Sequence, residues 1–181
     1  MKSIEALLND TVAVEGGYTN NPNDAGGETN WGITVAVALA NGYTGAMKDM
    51  TKAQALEIYR SKYFFKPGYG LVMGASAAIA GELFDTGVNM GPSVASTFLQ
   101  RLLNVFNYEG GHYADIAVDG NVGPGTVAAL RAFLAHRGDK GEGVMLKALN
   151  SLQGARYVEL AEGRVKNEDF IFGWFDNRVS I

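Results

Sequence analysis

Cysteine is absent from this chain, and only two histidines, His112 and His136, occur among its 181 residues. The first absence excludes a disulfide framework and any thiolate metal site. The second argues against a histidine-rich zinc centre. The expectation is therefore a protein with no metal and no cofactor. Charge is sparse, at 19% of residues with a net charge of −4. Phosphate recognition needs a concentrated basic surface, so nucleic acid is not an expected partner. Long hydrophobic runs are missing too. The longest apolar stretch, around Leu71 to Leu83, is broken by Gly74, Ser76, Gly81 and Glu82. It falls short of the ~20 apolar residues that a membrane span needs. The N-terminus has no basic segment followed by an apolar run, so the expectation is synthesis in the cytoplasm without a signal peptide.

What is present is apolar content and glycine. Apolar residues make up 47% of the chain, ample for a single core. The length suits one domain, or one domain with a closely packed subdomain. The 24 glycines cluster at Gly16-Gly17, Gly26-Gly27, Gly110-Gly111, Gly123 and Gly125. These look like helix ends and turns, where a positive φ is often required. They are not periodic, so no repeat architecture is implied. No segment alternates at period two. The pattern predicts a mainly α protein of about seven helices, with a short hairpin in the 19–33 loop as the one β element it allows.

The chain is organised around Glu15-Gly16-Gly17-Tyr18 and the polar loop that follows. A helix is predicted from Ser3 to Glu15, with Ile4, Leu7, Leu8 and Val12 as its apolar stripe. Continued, that stripe reaches Thr11 and Glu15. Glu15 thus falls on the buried face at the C-terminal end, just before a Gly-Gly stop. Desolvation and the negative end of the helix dipole both favour a protonated carboxyl there. A glycosidase needs such a group to protonate a leaving oxygen. The bland alternative is a solvated helix-end glutamate.

The loop from Thr19 to Asn30 is nearly all Asn, Asp, Gly, Pro and Thr. Asp24, nine positions after Glu15, reads either as an Asx-turn residue or as a second carboxylate across a cleft. The loop lacks the acidic spacing of a calcium loop. Tyr18 and Trp31 flank it, and could either stack on sugar rings or anchor it to the core. Thr34 opens the helical run Val35 to Ala40 and suits its N-cap.

Further helices are predicted from Thr51 (a capping box with Gln54) to Phe65, from Ser76 to Val88, and from Pro92 to Asn107. In the second of these Glu82 and Asp85 share a face. Asp85 and Asn89, at i and i+4, either line a cleft or hydrogen-bond the helix ends. Tyr108 to Asp119 reads as a loop, with His112 facing solvent. A helix follows Thr126, another spans Glu142 to Glu162, and an aromatic-rich segment, Phe170 to Arg178, reads as a helix packed on the core.

Taken together, these segments resemble the glycoside hydrolase family 108 muramidases, phage and bacterial lysozyme-like proteins. Glu15-Gly16-Gly17-Tyr18 with Asn30-Trp31-Gly32-Ile33-Thr34 resembles the family's first motif, and Phe84-Asp85 with Val88-Asn89-Met90-Gly91-Pro92 its second. Asp119-Gly120-Asn121-Val122-Gly123-Pro124 is similar to the start of its C-terminal peptidoglycan-binding-like region. Arg156-Tyr157 and Phe172-Gly173-Trp174 with Arg178 are similar to its tail motifs.

The resemblance implies a lysozyme-like helical domain that hydrolyses the β-1,4 bond between N-acetylmuramic acid and N-acetylglucosamine. It places the catalytic glutamate at Glu15. It implies a glycosidase region at 1–92 and a helical peptidoglycan-binding-like region at 93–181, packed as one compact unit. The Glu15 to Asp24 spacing also resembles phage-type lysozymes, whose site adds a threonine six positions after the aspartate. Here that position is Asn30, and the nearby threonines are Thr29 and Thr34. The expected site is Glu15, Asp24 and Thr34 for chemistry, with Tyr18, Asn30, Trp31, Asp85 and Asn89 binding substrate.

The expected partner is the glycan strand of peptidoglycan. The sparse charge gives no general attraction to an anionic wall, so such binding has to be local. A protein without a signal that acts on the wall implies a holin or a secretion system for its release. Two competing readings remain at this level: a non-catalytic wall-binding or secretion-accessory protein, and a lytic transglycosylase.

Overall fold

The computed structural model describes residues 5, 6, 8, 9, 12, 17–20 and 27–179. The chain divides into two units, Met1–Lys66 and Pro67–Ile181. In the first unit Glu5, Ala6, Leu8, Asn9 and Val12 are helical. Leu8 and Val12, four apart on one face, are fully buried. Strands β1 (Thr29–Asn30) and β2 (Ile33–Thr34) pair antiparallel, Thr29 with Thr34 and Asn30 with Ile33. This is the short hairpin that the polar loop allows. Helix α1 (Val35–Ala40) follows directly, with the Thr34 hydroxyl accepting from the Val37 N–H as its N-cap.

A 3₁₀ turn (Met47–Asp49) leads to α2 (Lys52–Tyr59). The predicted capping box is formed: Thr51 Oγ1 accepts from the Gln54 N–H, and Gln54 Oε1 from the Thr51 N–H. The helix widens into a π-helical turn, Arg60–Phe65. That turn buries Phe64 and leaves Phe65 exposed. Arg60 pairs with Glu57 and with Glu5.

The second unit holds α3 (Tyr69–Met73), α4 (Ala77–Met90), α5 (Pro92–Phe106), α6 (Pro124–Arg137), α7 (Asp139–Glu162) and α8 (Glu168–Arg178). With α1 and α2 this gives eight bounded α-helices among the described residues, and the protein is mainly α as predicted. Pro92 and Pro124 open their helices, where the missing N–H is no loss. The core is Ile79, Leu83, Phe84, Leu99, Leu103, Leu130, Phe133 and Met145, each at most 1% exposed. Tyr69 is fully buried among them and donates to the Pro92 carbonyl at 2.8 Å. Burial pushes its phenol up to about 12.

Several local expectations differ from what is found. Helix α3 (Tyr69–Met73) lies where no helix is predicted, ahead of the one expected from Ser76. Helix α7 starts at Asp139, three residues before Glu142, because Asp139 joins Glu142 in a first turn whose dipole favours both. Gly123 is extended (φ −117°) and Gly125 lies inside α6, so neither serves a positive φ. His112 is not simply solvent-facing. Its ring stacks between Tyr108 at 5.5 Å and His136 at 4.2 Å. Finally, α8 buries no residue, and Phe170 and Phe172 on it are exposed.

Candidate active site

The expected chemistry starts with Glu15 and Asp24, and both lie outside the described residues. The elements that frame the polar loop are described. Thr19 and Thr29 exchange both backbone hydrogen bonds, at 2.8 and 2.9 Å, and so join the two ends of the loop that contains Asp24 in sequence. Tyr18, next to this bridge, is 42% exposed, open enough for a ring to meet a ligand. Asn20 reaches across to the Glu28 carboxylate at 3.5 Å.

The hairpin turn is tight. Trp31 (φ 52°) and Gly32 (φ 72°) are both left-handed, the sign pattern of a type I′ turn. Gly32 adopts this freely, whereas a tryptophan is strained there. Two hydrogen bonds offset the strain. The Trp31 indole donates to the Met50 carbonyl at 2.9 Å, and the Tyr59 hydroxyl donates to the Trp31 carbonyl at 3.3 Å. Asn30 is buried, and its amide donates to Met47 O at 2.7 Å and Met50 O at 3.4 Å. Asn30 and Trp31 thus converge on one carbonyl, and Thr34 caps α1. These three expected site residues form one small construction of hairpin, 3₁₀ turn and helix start.

Asp85 and Asn89 belong to a polar network within the second unit. Asn89 donates to the Asp85 carbonyl at 2.9 Å, a bond within α4. The Asp85 carboxylate accepts from Arg178 of α8 at 2.9 Å and from Gln153 of α7 at 3.1 Å. One turn back on α4, Glu82 accepts from Thr86 at 3.5 Å and interacts with Asn150 of α7. Burial, with the Asp85 charge adding to it, pushes the Glu82 carboxyl up to about 7. Glu82 therefore exchanges a proton near neutrality, the range useful for acid–base chemistry.

Tyr157 closes the network. It is 1% exposed, its ring stacks on Trp174 at 5.0 Å, and burial followed by the Asp85 charge raises its phenol. The Tyr157 hydroxyl and Gln153 Oε1 are buried without a hydrogen-bond partner among the described residues. Sequence reasoning placed Glu82 on the face of Asp85 but gave it no role, and it passed over Asn150 and Gln153. The signal was available: both are polar side chains set among buried α7 positions Met145, Leu149, Gly154 and Tyr157. Among the described residues no cluster of His, Asp and Glu has the makeup of a metal site.

Comparison with known proteins bears on both units. Residues 8–91, which span the polar loop, the hairpin and Asp85, match the family Glycosyl hydrolase 108. Residues 94–179 match a second family, Predicted Peptidoglycan domain. A match to Glycosyl hydrolase 108 beside a match to a peptidoglycan domain indicates a peptidoglycan hydrolase. Among solved structures it is similar to Brucella abortus SagA, at 26% identity and a TM-score of 0.66, over 93% of this chain and 85% of that one. A search of curated proteins finds no match.

Proposed function

We propose that this chain is an N-acetylmuramidase, cleaving the β-1,4 bond between N-acetylmuramic acid and N-acetylglucosamine with Glu15 as general acid. The observation that carries the proposal is the family match across residues 8–91, the stretch that holds Glu15-Gly16-Gly17-Tyr18 and the hairpin after it. Buried Leu8 and Val12 support it, because theirs is the stripe that Glu15 continues in sequence.

In this reading Glu15 protonates the glycosidic oxygen as the bond breaks. Asp24 either positions a water on the opposite face or stabilises the oxocarbenium-like transition state, and Thr34 is the third member of the site. A carboxyl separation of ~5–5.5 Å goes with retention and ~6.5–9.5 Å with inversion. Tyr18 and Trp31 bind glycan at the loop, whereas buried Asn30, expected there too, instead anchors the hairpin to the Met47 and Met50 carbonyls, and Asp85 with Asn89 forms a second binding element. Residues 1–92 carry hydrolysis and 93–181 hold the wall. The protein is made in the cytoplasm and reaches the wall through a holin or a secretion system.

The test uses purified peptidoglycan and mass spectrometry of the released fragments. The wild type gives reducing N-acetylmuramic acid ends, and Glu15→Gln folds normally but releases none. Anhydro ends make the protein a lytic transglycosylase instead. Reducing N-acetylglucosamine ends move the cut to the other bond, and an active Glu15→Gln removes Glu15 from the role.

A further inference from the structure

The second unit carries a groove of about 340 Å³ between α5 and α7, within the region that matches the peptidoglycan domain. Its α5 wall is Ser93, Val94, Thr97, Phe98 and Arg101, one face of that helix at positions i, i+1, i+4, i+5 and i+8. Its α7 wall includes Leu152, Arg156 and Glu159 at i, i+4 and i+7. Two facing helix stripes at this spacing make an extended trough.

The lining is graded in chemistry. Phe98, 7% exposed, forms an apolar floor. Ser93 and Thr97 add hydroxyls that both donate and accept. On the α7 wall, Arg156 is held by Glu159 at 2.7 Å. On the α5 wall, Arg101 is exposed and has no hydrogen-bond or ion-pair partner among the described residues. In a chain of net charge −4 with 15 basic residues, an unpaired guanidinium beside a second one is a local anion site.

One end of the trough is fixed by the Asp119-Gly120-Asn121 turn. Gly120 adopts φ 75°, and a Cβ there would lie 2.3 Å from Ser93 Oγ. Only glycine lets this turn approach so closely, and the turn in turn sets the position of Ser93.

We propose that this groove binds the peptide stem of peptidoglycan, with Arg101 receiving a stem carboxylate. The inference rests on the reading of the protein as a peptidoglycan hydrolase and assigns it a recognition site for peptide rather than sugar. Charge complementarity selects the occupant. N-acetylglucosamine is neutral, and the lactyl carboxyl of N-acetylmuramic acid is neutralised by its amide bond to the stem, so a stem-bearing glycan makes no use of a free guanidinium, whereas the stem is a short peptide rich in carboxylates. Its alanine methyl groups suit the Phe98 floor, and its amides suit the Ser93 and Thr97 hydroxyls. The Arg156–Glu159 pair offers both signs of charge, matching a stem that carries an amine as well as carboxylates.

The test is calorimetric titration of the full chain with three probes: soluble stem tetrapeptide, a neutral glycan control of β-1,4-linked N-acetylglucosamine oligomers and intact peptidoglycan fragments. Arg101→Ala weakens binding of the tetrapeptide and of intact fragments by about tenfold or more, and Arg101→Glu weakens it further. Lys140→Ala, which removes an exposed charge outside the groove, leaves both unchanged, and glycan binding is the same for all. Circular dichroism confirms folding, which an exposed arginine leaves intact. Tetrapeptide binding that is absent in the wild type, or undiminished from wild type in Arg101→Ala and Arg101→Glu, overturns the proposal. If the wild type still hydrolyses peptidoglycan in either case, only the groove assignment falls. If it neither binds nor hydrolyses, the underlying function falls with it.

Discussion

Arg178 donates to Asp85 at 2.9 Å, joining the last turn of α8 to α4 across 93 positions of sequence. Helix α8 has no fully buried residue, and it is held by this pair together with the packing of Trp174 and Phe175 on Tyr157. The side chains are 16% and 33% exposed, which puts the pair between a surface salt bridge and a buried one. Removing one partner of such a pair leaves the other poorly solvated. Arg178→Ala is expected to cost about 2 kcal/mol and to lower the melting temperature by roughly 4–8 °C. Arg178→Lys, which keeps the charge but not the fork, loses less. Thermal unfolding of the three proteins checks this, and an unchanged melting temperature for Arg178→Ala means the pair contributes nothing.

Glu82 gives the fold a pH dependence of defined sign. Burial pushes its carboxyl up to about 7 in the fold, from about 4.5 for a solvated glutamate. The folded state therefore holds the proton more tightly, and the stability linked to it is fully present below about 4.5. That stability falls as pH rises through about 7, by at most about 3 kcal/mol. Glu82→Gln keeps a neutral amide and removes the titration. Urea unfolding of both proteins at pH 5 and pH 8 should show the variant gaining on the wild type as pH rises. A difference that is constant with pH rules out this role for Glu82.

Gln100 is the clamp of the Asp119 turn. At 1% exposure, its amide donates to Asp119 Oδ1 at 2.8 Å and to Asn121 O at 2.9 Å, and accepts from the N–H groups of Asp119 and Gly120. Its hydrogen bond, with that of the Asn121 N–H, holds the Asp119 carboxyl below its usual range. Gln100→Leu preserves volume but strands those groups, and is expected to cost about 3 kcal/mol. Gly120→Ala, at a positive φ and against Ser93, is expected to cost about 1–2 kcal/mol. Chemical denaturation measures both.

Gln100 also marks where sequence reading stops. Local signals were legible because their partners are near in sequence: the Thr51–Gln54 box, the Thr34 cap, and the proline that opens α5. The hairpin was legible as a polar, Gly-containing loop, but not with Trp31 at a positive φ, since that conformation depends on Met50 and Tyr59 far along the chain. Helix α3 was missed because its start is tertiary. Gly68 takes φ 86° against the Val122 backbone, a neighbour that no local pattern reveals. In the same way Asn150 and Gln153 look like breaks in an apolar stripe until α4 supplies Glu82 and Asp85. The catalytic assignment of Glu15 came from a motif and a helical stripe, both local. The network around Asp85 came from three helices, which no window of sequence contains.

Trp31 separates anchoring from recognition. If it binds glycan, its ring matters to activity beyond its effect on the fold. Trp31→Asn suits the left-handed turn position, so relief of backbone strain offsets the lost indole bond to Met50, and stability should change by less than about 1 kcal/mol. Loss of a stacking surface should still reduce hydrolysis of peptidoglycan by about tenfold or more, because an aromatic contact is worth about 1 kcal/mol or above. Unfolding midpoint and turnover, measured on the same preparation, distinguish the two roles. A stable variant with reduced turnover assigns Trp31 to substrate. A destabilised variant with full turnover per folded molecule makes it an anchor of the hairpin alone.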